Sequence, residues 1–259
     1  SFKDGAAIVV DESLGQNVGE SQGGASGLGR VTILGTSLFN ETINFGSDGP
    51  AVAGSKVYAL SVSASGVASG LFDTATGSSI VLFNNGGVIE GHVGTTLGAL
   101  AFTVAVNAST GDVTLTQLRA VKHDDVTDPE ESGASAAGLT ANVLRISLTV
   151  KDGDDDTAAS PARDLGSKLR FEDDGPSAVL SERVSMQVDE DDLNTIPPLG
   201  STGTSPNDGI ADGSVTNGDG SASPATGSIT LFGLVNFGSD GPGGFALATI
   251  GAPIDSGLT

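Results

Sequence analysis

Carboxylates are the side chains bunched closely enough in this sequence to do chemistry. Asp152-Gly153-Asp154-Asp155-Asp156-Thr157 is one cluster, and Phe171-Glu172-Asp173-Asp174-Gly175-Pro176 is another. Asp11-Glu12 and Asp189-Glu190-Asp191-Asp192 form two more, and His123-Asp124-Asp125-Val126-Thr127-Asp128 adds an imidazole to a fifth. Two like charges about 4 Å apart repel by roughly 4 kcal/mol at an effective dielectric near 20. Such bunching disfavours a compact fold unless a cation sits among the oxygens. Ca2+ accepts six to eight oxygen ligands in loose geometry, which suits alternating Asp on a turn. Mg2+ demands a tighter octahedron, and Zn2+ prefers His or Cys, of which only His92 and His123 are present. The expected ligands are Asp11, Glu12, Asp152, Asp154, Asp156, Asp173, Asp174, Asp189, Glu190 and Asp191. The expectation is that the 152–156 loop, the 171–176 junction and the Asp189-Glu190 opening meet at an interface between repeats, which Ca2+ stiffens. An EF-hand is excluded, because the twelfth position counted from Asp152 is Arg163. The stacked Gly-Gly-x-Gly-x-Asp nonapeptide is also missing.

Two further features have a bland and a sharp reading. In Phe45-Gly46-Ser47-Asp48-Gly49-Pro50, the favoured reading is a tight reversal anchored by Phe45. The alternative makes Asp48 a metal ligand. His123 reads as a hydrogen-bonded loop residue in preference to a general base, and His92 carries no catalytic signal.

These clusters must be positioned by strands. Val57–Val62, Ser79–Phe83, Leu100–Val106, Val113–Thr116 and Val143–Val150 are apolar and β-branched, mostly with period-two alternation. Asn84-Asn85-Gly86-Gly87 and Ser109-Thr110-Gly111-Asp112 are hairpin-type turns. Short helices or helical turns are expected over Arg119–Val126 and Glu130–Ala137. Many short strands with turn signals between them predict an all-β fold of β-sandwich-like repeats.

The repeats are visible directly. Val10-Asp11-Glu12-Ser13-Leu14 recurs as Val188-Asp189-Glu190-Asp191-Asp192-Leu193, and Asn44–Pro50 recurs unchanged as Asn236–Pro242. One complete repeat is expected over 1–172 and the first part of a second over 173–259. The second copy carries an insertion within a Gly/Ser/Pro-rich loop at 194–226. Both ends read as cuts through a longer polypeptide.

Composition narrows function. The chain has 259 residues, 32 acidic and 11 basic, for a formal net charge of −21. That opposes phosphate binding, so no nucleic-acid partner is expected. No apolar run approaches about 20 residues, so this segment is not expected to insert in a membrane. There is no Cys, hence no disulfide and no thiolate site. With no Trp and one Tyr, aromatic sugar platforms are scarce, which weakens glycosidase and lectin readings. No nucleophile elbow, phosphate loop or dinucleotide fingerprint occurs.

Val188–Leu193, then Gly227-Ser228-Ile229-Thr230-Leu231 and the F-G-S-D-G-P motif, resemble the opening of the tandem repeats of giant RTX adhesins. Leu148–Thr157, followed by Leu169–Pro176, is similar to their closing T-V-x-D-x-D-G-D-T … D-D-G-P. Asp155 stands where those repeats carry a second Gly, and Val121-Lys122 replaces Leu-Asp before His123. The resemblance implies a non-enzymatic, calcium-stabilised extender or scaffold segment on the bacterial cell surface, serving adhesion and biofilm formation. It also implies type I secretion as an unfolded chain that folds in extracellular calcium. Its partners would be neighbouring repeats of the same polypeptide and an inserted or adjacent ligand-binding domain. The alternative is a module that itself binds a glycan, peptide or surface.

Overall fold

A computed structural model describes residues 1–12, 28–125, 127–128, 130–178, 235–236 and 238. The chain divides into two compact units, one built on Ser1–Pro176 and one that includes Ser177–Asn236. The first unit contains β1 (Ile8–Asp11), β2 (Arg30–Ile33), β3 (Lys56–Val62), β4 (Val67–Phe72), β5 (Ser79–Asn85), β6 (Val88–Val93), β7 (Leu100–Val106), β8 (Val113–Gln117), β9 (Leu144–Lys151), β10 (Thr157–Ala159), β11 (Arg163–Asp164) and β12 (Leu169–Glu172). In the second unit, β13 (Ser177–Ala178) pairs antiparallel with β14 (Val235–Asn236).

The all-β expectation holds. Six antiparallel strands form one sheet in the order β2-β8-β7-β6-β5-β4. In a second sheet, β9 pairs with β3 along one edge and with β10 and β11 along the other. Strand β3 lies over β5, β6 and β7, so the two sheets pack as a sandwich. Alternation explains the shared core. Ile80 and Leu82 of β5, Val113 and Leu115 of β8, Tyr58 and Leu60 of β3, and Leu144 and Ile146 of β9 all point inward. The rings of Phe102 and Phe171 meet at 5.2 Å between centroids. Burying each aromatic side chain contributes about 2–3 kcal/mol.

Gly91 is required by packing, since a Cβ there would lie 2.6 Å from the Phe102 ring. The 84–87 turn forms as expected, with Gly86 and Gly87 both at positive φ and Asn84 Oδ1 accepting from Gly87 N at 2.7 Å.

Two features depart from the sequence reading. Of the short helices or helical turns expected over 119–126 and 130–137, no helix forms among the described residues, though single turns occur, with Asp128 N donating to Asp125 O at 3.0 Å and Ser135 N to Ser132 O at 3.2 Å. Val121 makes an isolated bridge to Asp73, and Ala137 makes one to Phe171. Their backbone groups are thus engaged across the fold, which local helical hydrogen bonding cannot match. The described helical pieces are single turns at Gly35–Leu38 and Gly166–Lys168. The second departure is long-range. Strand β1 pairs in parallel with β12, Ile8 opposite Leu169 and Asp11 opposite Glu172. The opening and closing segments of the first unit therefore lie side by side.

Candidate functional site

Among the described residues, the carboxylates gather into two groups, one exposed and one buried. The exposed group forms where β9 ends. Asp152 N donates to Asp156 O at 3.1 Å, and Asp156 N donates to Asp152 Oδ1 at 2.9 Å, which curls the loop onto itself. Asp155 adopts φ 75°, the left-handed conformation that Gly enters freely and other residues seldom do. Its carboxylate reaches back to Lys151 Nζ at 2.7 Å. Ala51 N donates to Lys151 O at 3.1 Å, and Pro50 bridges Asp152, so the 45–50 turn is stitched to this loop. Gly153 sits so close that a Cβ would lie 2.4 Å from the Asp48 carbonyl oxygen.

As a result Asp48, Asp152 and Asp154 place one carboxylate oxygen each within 4.8 Å of one another. A hydrogen bond with Asp152, then the charges of Asp152 and Asp156, push the Asp154 carboxyl above its ordinary pKa. The motif at 45–50 bends at Ser47-Asp48 and delivers Asp48 to the group, but Phe45 is only half-buried and lies outside the core, so the expected Phe45 anchor is not what holds it. This all-oxygen donor set on two turns fits a hard cation such as Ca2+.

The buried group lies beside β1 and β12. Asp11, Glu12 and Glu131 are buried, and the His123 side chain is 5% exposed. The β1–β12 pairing carries Glu12 to the junction residue Asp173, and Asp173 N donates to Glu131 O at 3.0 Å. Glu12 Oε1 accepts from Val121 N at 2.9 Å and from Gln117 Nε2. Glu131 Oε1 accepts from Asp125 N. His123 then lies between carboxylates, Nε2 4.0 Å from Glu12 Oε1 and Nδ1 3.5 Å from Glu131 Oε2. Glu12, His123 and Asp173 place their donor atoms within 4.8 Å of one another. Burial alone would push the imidazole pKa down, but Glu12, Asp173 and Glu131 outweigh it and hold the value above the ordinary one.

These positions revise the expected ligand set. Asp152 and Asp154 group with Asp48, with Asp156 close enough to act on Asp154. Asp173 and Glu12 group with His123 instead. Among the described residues, the loop and the junction fall in different groups. Asp11 and Glu12 are interior residues of the first unit. Asp174 is half-buried, and a Cβ on Gly238 would fall 1.8 Å from its carbonyl oxygen. Gly238 has φ 68° and its counterpart Gly46 has φ 73°, so the duplicated motif keeps one backbone conformation at this position. Asp189, Glu190 and Asp191 lie outside the described residues. Sequence reasoning missed Glu131 and Gln117, although Glu131 follows the His123 cluster closely enough for a loop to return it.

Residues 7–166 match the family described as Domain of unknown function (DUF5801). The chain belongs to this family. The matched span holds Glu12, Asp48, His123, Glu131, Asp152 and Asp154, while Asp173 falls just beyond it. Strands β1 to β11 of this DUF5801 chain lie in the match, so the family segment carries nearly the whole sandwich. No curated protein and no solved structure matches. Among the described residues, no helix is long and apolar enough to cross a membrane.

Proposed function

We propose that this chain is a non-enzymatic structural segment of a calcium-stabilised bacterial cell-surface adhesin, an extender or scaffold that projects or supports a ligand-binding domain in adhesion and biofilm formation. The observation that carries the reading is the convergence of Asp48, Asp152 and Asp154 within 4.8 Å on two turns stitched together at the end of β9. Three carboxylates held this close by backbone hydrogen bonds are a poor surface for an apo protein and a good one for a hard dication. Tuned to about 10⁻⁴–10⁻³ M, such a site would empty at low calcium and fill outside the cell. The duplicated motifs support a tandem-repeat role, and the resemblance to giant RTX adhesin repeats supplies the setting: type I secretion, neighbouring repeats as partners, and an extracellular address.

The test is calcium titration of the full chain, by calorimetry and by melting. At 10 mM Ca2+ one such site would stabilise the fold by about 1.4–2.7 kcal/mol. For a domain of this size that corresponds to roughly 3–10 °C. The double variant Asp152→Asn, Asp154→Asn should lose the response. Identical melting curves in calcium and in EDTA would refute the proposal.

A second reading, direct ligand binding, is favoured by one feature. A surface cleft is lined by Phe2, Phe39, Tyr58, Glu41 and Arg163, with Phe39 stacked on Tyr58 at 5.7 Å. Aromatic faces beside a carboxylate and a guanidinium are the chemistry of a sugar or peptide subsite. Hits on a glycan array that vanish in Arg163→Ala, a change at an exposed residue of the cleft, would favour this reading over the extender.

A further inference from the structure

We propose that Glu12, His123 and Asp173 form a second, buried metal site, selective for a divalent transition cation of the Zn2+ or Mn2+ class, with Glu131 orienting the histidine. The inference does not rest on the calcium reading of the exposed loops.

His123 and Glu131 carry the argument. Both side chains are more than nine-tenths buried. Neither ring nitrogen of His123 has a hydrogen-bond partner, and neither has Glu131 Oε2. Buried polar atoms are normally satisfied, because leaving one bare costs the desolvation of that group. The nitrogens face carboxylates on both sides, yet stand off at 4.0 Å from Glu12 and 3.5 Å from Glu131. A charge-assisted hydrogen bond between imidazolium and carboxylate would close to about 2.7–2.9 Å. Two donors of a single ion, each at about 2.0–2.2 Å from it, stand roughly 3–4 Å apart. The separation of Nε2 from Glu12 matches the second arrangement.

The donor chemistry selects the ion. An imidazole nitrogen among carboxylates suits Zn2+ or Mn2+, whereas Ca2+ takes oxygen. Only one ring nitrogen ligates. Nε2 faces Glu12, which leaves Nδ1, now 3.5 Å from Glu131 Oε2, to close on it as the N–H donor when the ion binds. That is the carboxylate–histidine–metal arrangement, in which the outer carboxylate fixes tautomer and ring orientation. The inner shell is itself held in place. Glu12 Oε1 is fixed by Val121 N and Gln117 Nε2, and Asp173 by its backbone bond to Glu131.

The site also has a structural consequence. Glu12 follows β1, Asp173 follows β12, and His123 comes from the connection after β8. An ion here would tie the opening and closing segments of the repeat to its middle.

The experiment is metal binding by the full chain after EDTA stripping, with Zn2+ as the probe and Ca2+ in a parallel arm. Calorimetry with elemental analysis should find one tightly held Zn2+ that millimolar Ca2+ does not displace. His123→Gln should abolish that uptake, and Glu131→Gln should weaken it by about 10–100-fold. Asp152→Asn, Asp154→Asn should leave it intact. X-ray absorption on the Zn-loaded wild-type chain keeps the test independent of how the variants fold, and should show one imidazole in an otherwise oxygen shell. No Zn2+ uptake, uptake unchanged in His123→Gln, or an all-oxygen shell would overturn the proposal. Loss of the calcium response with Zn2+ uptake retained would sink the calcium reading alone.

Discussion

Truncating Glu12 to Ala in the metal-stripped chain should be among the most damaging single changes to the first unit. Glu12 is fully buried, and its Oε1 accepts from Val121 N and Gln117 Nε2. In Glu12→Ala the Val121 amide loses its acceptor, while Gln117 Nε2 keeps a bond to Arg119 O at 3.2 Å. One buried donor fully orphaned and one half-satisfied cost about 2–4 kcal/mol together. For a domain of this size that lowers the melting temperature by roughly 5–15 °C. Glu12→Gln separates hydrogen bonding from charge. It keeps a carbonyl acceptor where Oε1 stands and removes the negative charge, so its cost should stay under about 1.5 kcal/mol. The assay is urea unfolding in EDTA, followed by far-UV circular dichroism, on wild type and both variants. If Glu12→Ala lies within about 0.5 kcal/mol of wild type, the orphaned-donor reasoning is wrong. If Glu12→Gln is as damaging as Glu12→Ala, the carboxylate matters through its charge and not as an acceptor.

Arg119→Gln should cost about 2 kcal/mol at neutral pH, since it strips a two-pronged partner from a nearly buried carboxylate. Arg119 Nε and Nη2 donate to Asp73 at 2.7 and 3.1 Å, and Asp73 is 1% exposed. The Arg119 hydrogen bonds, opposed by burial and helped by Thr76, hold the Asp73 carboxyl below its ordinary pKa. A depressed folded value gives stability that is present above the unfolded value near 3.9 and is lost as pH falls through the folded one. Melting curves from pH 7 to 2 should therefore show the Arg119→Gln deficit shrinking below about pH 4, and a deficit constant with pH would contradict the assignment. Asp155→Gly should raise stability by about 0.5–1 kcal/mol, because φ 75° is freely open to Gly and the exposed Lys151 pair it removes is worth little. A fall in melting temperature would show that the pair matters more than the backbone.

The elements legible in the sequence were those whose signal is local. Strands β5, β7, β8 and β9 announce themselves by period-two burial, and the Gly86-Gly87 hairpin by residues that enter positive φ. The 119–126 stretch looked helical because its apolar and charged residues lack alternation. What decides it is distant: Asp73 takes the Arg119 guanidinium and bridges Val121, which holds the chain extended. The same limit explains the ligand set. Clustering marked Asp152, Asp154 and Asp173 as metal-ligating candidates, but only topology could pair them with Asp48 and with Glu12. The interface expected between the 152–156 loop, the 171–176 junction and the Asp189-Glu190 opening involves residues outside the described ones, but Asp11-Glu12 and the 169–172 closing segment are described. The parallel β1–β12 ladder puts these two together inside the first unit.

That ladder bears on how such a module could serve a secreted adhesin. Ile8, Val10, Leu169 and Phe171 are completely buried and belong to one core with the residues of both sheets. The first strand cannot bury its apolar face until the last strand arrives, so closing the core requires nearly the whole repeat. Folds dominated by such distant pairings form slowly, because loop entropy is lost before the contacts repay it. Carboxylates set at the closure sharpen the effect. Glu12 and Asp173 must approach each other at the moment β1 meets β12, and their repulsion opposes closure except as His123, set among these carboxylates with its pKa raised, offsets it. Such a chain would close less readily without a cation than with one. Under the proposed function, that difference would separate the side of the membrane where it is made from the side where it works.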